Sequence, residues 1–427
     1  MSDVRAEVFQ NEYLAEGATV ADAVVTVTMG EGHGPAVRTE GAGAAEIIII
    51  DCSGSMHGER MVQAKKAAAV AIDTLRDGVG FAVIAGSSGA VTAFPSGQRL
   101  AVTSPSSRAE AKAAVRKLKA GGGTAMSTWL QLARDLFREY PVEIRHAILL
   151  TDGCNGESER TLQSVLDTCA GEFVCDSRGV GAGWRAAELL KIADTLLGTA
   201  DGMKDPAGLA ADFQAMIEAA MGKTMADVFL RVWTPTGGRL RFLKQVHPEI
   251  VELTDRRSQV SARAGDYPTG SWGAESRDYH LSVEVDPGAV GEEVLAARVS
   301  VVRRDETLAQ ALVRAIWTDD TAHSTKINQR VAHYSGEIEL AEAIQEGLAA
   351  REVGDVATAT ARLGRAVRLA TESGRSDTVR LLSGVVEVTD AREGTVVLKQ
   401  RSANRDVDVD AEIAAVTSRK TTRVRPA

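Results

Sequence analysis

The chain has 427 residues and a net charge of −9, with 44% hydrophobic, 4% aromatic and 25% charged residues. This is the balance of a globular protein with length for two or three domains, and the absence of a strongly basic stretch before the last few residues excludes nucleic acid as the expected partner. The start carries no charged segment leading into an apolar one, and no apolar run approaches the ~18 residues of a membrane span, so a cytoplasmic protein that does not enter the membrane is expected. Cys52, Cys154, Cys169 and Cys175 form no CxxC pair, which favours reduced thiols over a zinc or disulfide framework.

Residues 4–10 and 23–29 read as strands. Two strands cannot build a core alone, so segment 1–43 is expected to complete a sheet formed later in the chain. Residues 44–225 alternate strand and helix. The run 45–50 is apolar on both faces, as a strand inside a covered parallel sheet must be. A helix follows at 59–75, a strand at 79–85, and an edge hairpin at 90–94 and 99–103. Helices at 106–119, 125–139, 158–170 and 184–197 frame strands at 146–151 and 172–178. This pattern predicts a doubly wound α/β domain. Residues 226–320 switch to short strands punctuated by Gly, Pro and Asp, at 228–234, 239–245, 249–253, 279–285, 294–302 and 309–317. That is an antiparallel β-sandwich signature, so the α/β domain is read as an insertion within the sandwich. Helices at 326–351, 355–373 and 377–389 fill a helical region, 321–400. The polar segment 401–427 reads as a mobile tail.

Three separated stretches lie where strands of the α/β domain end. Asp51-Cys52-Ser53-Gly54-Ser55 follows the first strand, Gly121-Gly122-Gly123-Thr124 opens the helix at 125, and Asp152-Gly153 follows the strand 146–151. In an open parallel sheet such loops gather at the carboxyl edge. Together they offer hydroxyls from Ser53, Ser55 and Thr124 and carboxylates from Asp51 and Asp152. Hard oxygen donors of this kind suit Mg²⁺, Mn²⁺ or Ca²⁺.

These stretches resemble the metal-ion-dependent adhesion site of the von Willebrand factor A family, across residues 44 to about 221. The resemblance implies that Ser53 and Ser55 touch the metal directly. It implies that Thr124 and Asp152 do so directly or through water, and that Asp51 mainly holds the loop. A partner's acidic side chain would fill the open coordination position. The layout looks like bacterial cytosolic members with a flanking sandwich and a helical end. The expected function is a non-enzymatic, metal-dependent binding module or scaffold in a bacterial signalling or stress assembly. The alternative is a non-catalytic subunit of an ATP-driven machine of the MoxR/AAA+ or magnesium-chelatase kind.

Other signals are weaker. Gly222-Lys223-Thr224 lacks the upstream glycine of a phosphate loop, where Ile217 stands instead. His57 follows Ser55 closely, but serines used as ligands leave no nucleophile for it to activate. Thr421 and Thr422 lie among basic residues in a segment that resembles a Ser/Thr-kinase substrate and a ligand of forkhead-associated (FHA) domains.

Overall fold

The computed structural model describes residues 4–30, 43–399 and 406–423. Its central sheet runs in the order Ala200–Met203, Val174–Val180, Ile144–Thr151, Ala44–Asp51, Gly80–Gly86, Ala90–Phe94, with Ala101–Val102 also pairing to Gly80–Gly86. The first five strands are parallel and the last two antiparallel. The isoleucine run shows why this strand is central. Ile48 and Ile50 pack under helices Glu59–Thr74 and Leu209–Met221, while Ile47 and Ile49 pack under Met126–Arg138 and Glu159–Cys169. Alternate side chains point to opposite faces, so a strand apolar throughout needs helices on both.

The two amino-terminal strands do complete the sandwich. Val20–Met29 pairs antiparallel with Glu275–Glu284 along ten residues, and Val4–Gln10 lies on its other side. This sheet continues through Arg239–His247 to Val251–Glu252. The facing sheet runs Ser258–Gln259, Ala264–Pro268, Phe229–Trp233, Glu293–Arg303, Glu306–Thr318, Tyr13–Ala15. Val25, Val27, Tyr279 and Leu281 from one sheet meet Leu230, Val299 and Val313 from the other in one buried core. The α/β unit is therefore inserted between two sandwich strands, Val20–Met29 and Phe229–Trp233.

Helices Gln329–Glu352 and Val356–Glu372 form a close antiparallel pair, where a Cβ on Gly347 would come within 2.7 Å of Leu363. The next helix, Ser376–Val385, ends earlier than its apolar pattern predicts. The chain turns into a hairpin, Val386–Asp390 with Thr395–Leu398, because β-branched residues dominate from Val385 onward.

The mobile-tail reading needs correction for the described part of that segment. Asp406–Thr417 is a helix, and residues 418–423 form a docked strap. Arg419 pairs with Asp194 at 2.6 Å and Lys420 pairs with Asp201, both in the α/β unit. Ile250 N donates to Arg419 O at 2.8 Å, and Thr421 N to Pro248 O at 3.0 Å, both on the sandwich. Arg423 grips Asp278. Basic residues that look solvated in the sequence find carboxylates of the two other units instead, and that of Asp278 is fully buried. Residues 400–405 and 424–427 lie outside the described residues.

Candidate metal centre

Ala44–Asp51 and Ile144–Thr151 are hydrogen-bonded parallel neighbours, so their carboxyl ends deliver Asp51 and Asp152 to the same edge. Asp51 is fully buried and both its oxygens are used: Ser53 N donates to Oδ1 at 2.7 Å and Thr151 Oγ1 to Oδ2 at 2.6 Å. Burial pushes its carboxyl pKa up, opposed by these hydrogen bonds, with Asp152's charge pushing it further up. Asp51 therefore shapes the loop. The hydroxyls come next. Ser53 Oγ and Ser55 Oγ share a hydrogen bond of 2.9 Å, and Ser55 Oγ donates to Asp152 Oδ1 at 2.6 Å.

Backbone bonds knit the three loops together. Gly121 N donates to Cys52 O at 2.7 Å, Gly54 N to Gly122 O at 2.9 Å, and Gly156 N to Thr124 O at 2.7 Å. Gly122 has φ +86°, which a glycine adopts without strain, so the loop can turn back over Gly54. Thr124 faces the same space as the serines. A Cβ on Gly153 would sit 3.2 Å from Ser55 Oγ and 3.5 Å from Thr124 Oγ1. The bare Gly153 thus leaves room beside two hydroxyls. All five residues singled out in the sequence converge on this edge.

Several supporting groups escaped sequence reasoning. The helix Met126–Arg138 begins at Ala125, which has no side chain to cap it. Asn155 Oδ1 accepts from Met126 N at 3.1 Å, and Glu157 accepts from Ser127 N and Ser127 Oγ at 3.0 and 2.6 Å. The loop after Asp152 thereby caps the helix that Thr124 precedes, which locks two loops of the centre together. An uncapped helix start in the sequence was the available signal. Arg60 also escaped notice: its Nη1 donates to Asp152 Oδ2 at 2.6 Å and to Ser55 O at 3.2 Å. His57 Nδ1 lies 2.6 Å from Gly54 O. Cys52 is buried, and burial raises its thiol pKa to about 11, whereas exposed Cys154 donates to Gly183 O at 3.0 Å.

The donor set fits a hard divalent cation. Among the described residues no group of three or more His, Cys, Asp or Glu side chains is placed to hold an ion, so the centre depends on its hydroxyls. Likewise, among the described residues, no helix is long and apolar enough to cross a membrane.

Comparison with known proteins places this architecture. Residues 45–201 match the model of the von Willebrand factor type A domain, and residues 368–408 match that of a von Willebrand factor type A C-terminal domain. A solved von Willebrand factor type A protein from Catenulispora acidiphila is 47% identical, with 99% of this chain and 98% of that one covered and a TM-score of 0.90. The ArnB paralog VWA2 from Sulfolobus acidocaldarius shares the fold at 13% identity, with 98% of each chain covered and a TM-score of 0.61. An uncharacterized protein of Synechocystis is 26% identical over 260 residues, which is 58% of this chain and 59% of that protein's length. An inserted α/β unit with its loops gathered at the carboxyl edge, and a relative alike from end to end, lead to one conclusion: the chain belongs to the von Willebrand factor type A domain proteins.

Proposed function

We propose that the protein is a non-catalytic, metal-dependent binding module. Asp51, Ser53, Ser55, Thr124 and Asp152 hold one Mg²⁺, Mn²⁺ or Ca²⁺, and the ion engages an Asp or Glu side chain of a protein partner. The observation that carries this reading is the run of oxygens from Ser53 Oγ through Ser55 Oγ to Asp152 Oδ1, at 2.9 and 2.6 Å, beside the bare Gly153. When bound, the ion supplies concentrated positive charge. The chain's own residues leave that charge incompletely offset: Asp51 spends both oxygens on the loop, and the serines and Thr124 are neutral. An incoming carboxylate then gains a strong charge-assisted contact.

Domains of this family generally mediate protein interactions, which agrees with such a role. Catalysis by Ser55 is disfavoured, since its hydroxyl donates to Asp152 and His57 Nδ1 engages Gly54 O rather than a serine. We place the protein in the cytosol, where its free cysteines would stay reduced, as a scaffold in a signalling or stress assembly. A pull-down with Mg²⁺ and with EDTA, comparing wild type with Asp152→Ala, tests the reading. Partners retained only by metal-loaded wild type support it. Retention that ignores both EDTA and the substitution overturns it, and a co-retained ATPase would favour an ATP-driven machine. In the strap, Thr421 Oγ1 is tied to Val246 O at 2.6 Å while Thr422 is exposed, so Thr422 is the accessible target for a Ser/Thr kinase and an FHA-domain reader. Mass spectrometry of the native protein without phosphate there would argue against it.

A further inference from the structure

We propose that Arg60 sets the balance of the centre, weakening its hold on a cation and strengthening its hold on the partner's carboxylate; the inference deepens the metal-binding reading and rests on it. Arg60 stands in the first turn of the helix Glu59–Thr74, five residues beyond Ser55. It pairs with Asp152 at 2.6 Å, and its side chain is 35% exposed where that of Asp152 is wholly buried. Both of its hydrogen bonds use Nη1, which also reaches Ser55 O. Among the described residues, Nη2 and Nε make no hydrogen bond. They run along Gly181, where a Cβ would approach Nε to 3.0 Å and Nη2 to 3.5 Å. Gly181, at φ +74°, thus keeps a slot clear for the guanidinium.

A guanidinium keeps its charge at every working pH and offers a rigid fork of donors. Placed here, that charge acts in two ways. It offsets Asp152, the carboxylate that also accepts from the Ser55 hydroxyl, so an arriving cation meets less negative charge than the donor set suggests. Its idle donors also lie beside the centre, where an acidic side chain reaching for the ion finds a second anchor. One residue therefore moves the two affinities in opposite directions.

A purely supporting role predicts something else. Partners that only orient a ligand strengthen metal binding, and their loss lowers affinity by roughly 10–100-fold. The opposite sign separates the two accounts. The full-length wild type, Arg60→Gln and Arg60→Lys are titrated with Mn²⁺ and followed by electron paramagnetic resonance. Acetate is then added to the Mn²⁺-loaded proteins and followed by water proton relaxation. Arg60→Gln should bind Mn²⁺ about tenfold more tightly and acetate about tenfold more weakly, with effects shrinking at high salt. Arg60→Lys keeps the charge but loses the fork, so its Mn²⁺ affinity should stay within about threefold of wild type while acetate weakens. Equal or weaker Mn²⁺ binding by a folded Arg60→Gln, or unchanged acetate binding, overturns the role given to Arg60 and leaves the metal reading standing. Absence of Mn²⁺ binding by wild type would instead remove the metal reading and this inference with it.

Discussion

Asp152 and Asp278 are both carboxylates with no exposed side-chain surface, yet they are treated differently. Asp278 accepts four hydrogen bonds: two from Arg423 at 2.8 and 3.0 Å, one from Thr26 at 2.7 Å and one from Tyr334 at 2.5 Å. Burial alone would raise its pKa, and these donors together hold it below the usual carboxylate range. A carboxylate has about four acceptor sites, so Asp278 is saturated. Among the described residues, Asp152 accepts only from Ser55 and Arg60. The same contrast separates the two regions. The strap matches Asp194, Asp201 and Asp278 with cationic donors, which suits a joint between the α/β unit, the sandwich and the helices. The carboxyl edge keeps acceptor capacity in reserve, which suits a ligand.

The contrast breaks most easily at Asp278. Asp278→Ala strands Arg423 and should cost about 3–5 kcal/mol in urea unfolding, while Mn²⁺ affinity of the folded fraction stays unchanged. Coupled loss of both would show that the strap and the metal edge are one unit. Next in size is Thr421→Glu, which removes the bond to Val246 O and crowds the strap with a charge. It should cost about 1–3 kcal/mol and speed proteolytic clipping near residue 418. Gly153→Ala places a methyl against Ser55 Oγ and Thr124 Oγ1, and should weaken Mn²⁺ binding about tenfold, roughly 1.4 kcal/mol, with unfolding little changed.

A further effect is expected with pH. His146 is buried, 2.9 Å from Glu46 and 3.1 Å from Asp176. Burial alone would lower its pKa, but the two carboxylates lift it to about 10 from an ordinary 6.5. A raised base stabilises the fold fully below its unfolded value and loses that contribution as pH climbs through the folded one. The unfolding midpoint should therefore fall between pH 7 and 9, and His146→Gln should flatten that slope. Cys52 and Cys169, raised by burial to about 11 from 9.0, add a fall of the same sign only above pH 9. Below pH 7 Glu249, raised by burial to about 7, already contributes one. A slope that survives His146→Gln unchanged would contradict the assignment.

What the sequence revealed follows from the range of each force. The Ile47–Ile50 run, the Gly-rich turn before Thr124 and the Asp51–Ser55 loop are local patterns, and they located the sheet and its carboxyl edge. The sandwich pairing of Val20–Met29 with Glu275–Glu284 was inferred because two lone strands need a sheet to join. The strap was missed because its partners are remote. Arg423 meets Asp278 across 145 residues and Arg419 meets Asp194 across 225, and nothing near the C-terminus advertises either. Arg60 was legible only as one more charge on an amphipathic helix. The short strands Ala200–Met203 and Ser258–Gln259 carry too few residues to show a period.

The central claim is that five oxygen-bearing side chains at one sheet edge hold a single hard divalent ion. Electron paramagnetic resonance of Mn²⁺ titrated into the full-length protein, with Mg²⁺ as competitor, measures it directly. One Mn²⁺ per chain, displaced by Mg²⁺ and lost in Ser53→Ala with the unfolding curve preserved, is the predicted result. No stoichiometric binding, or binding undiminished in Ser53→Ala, would contradict it.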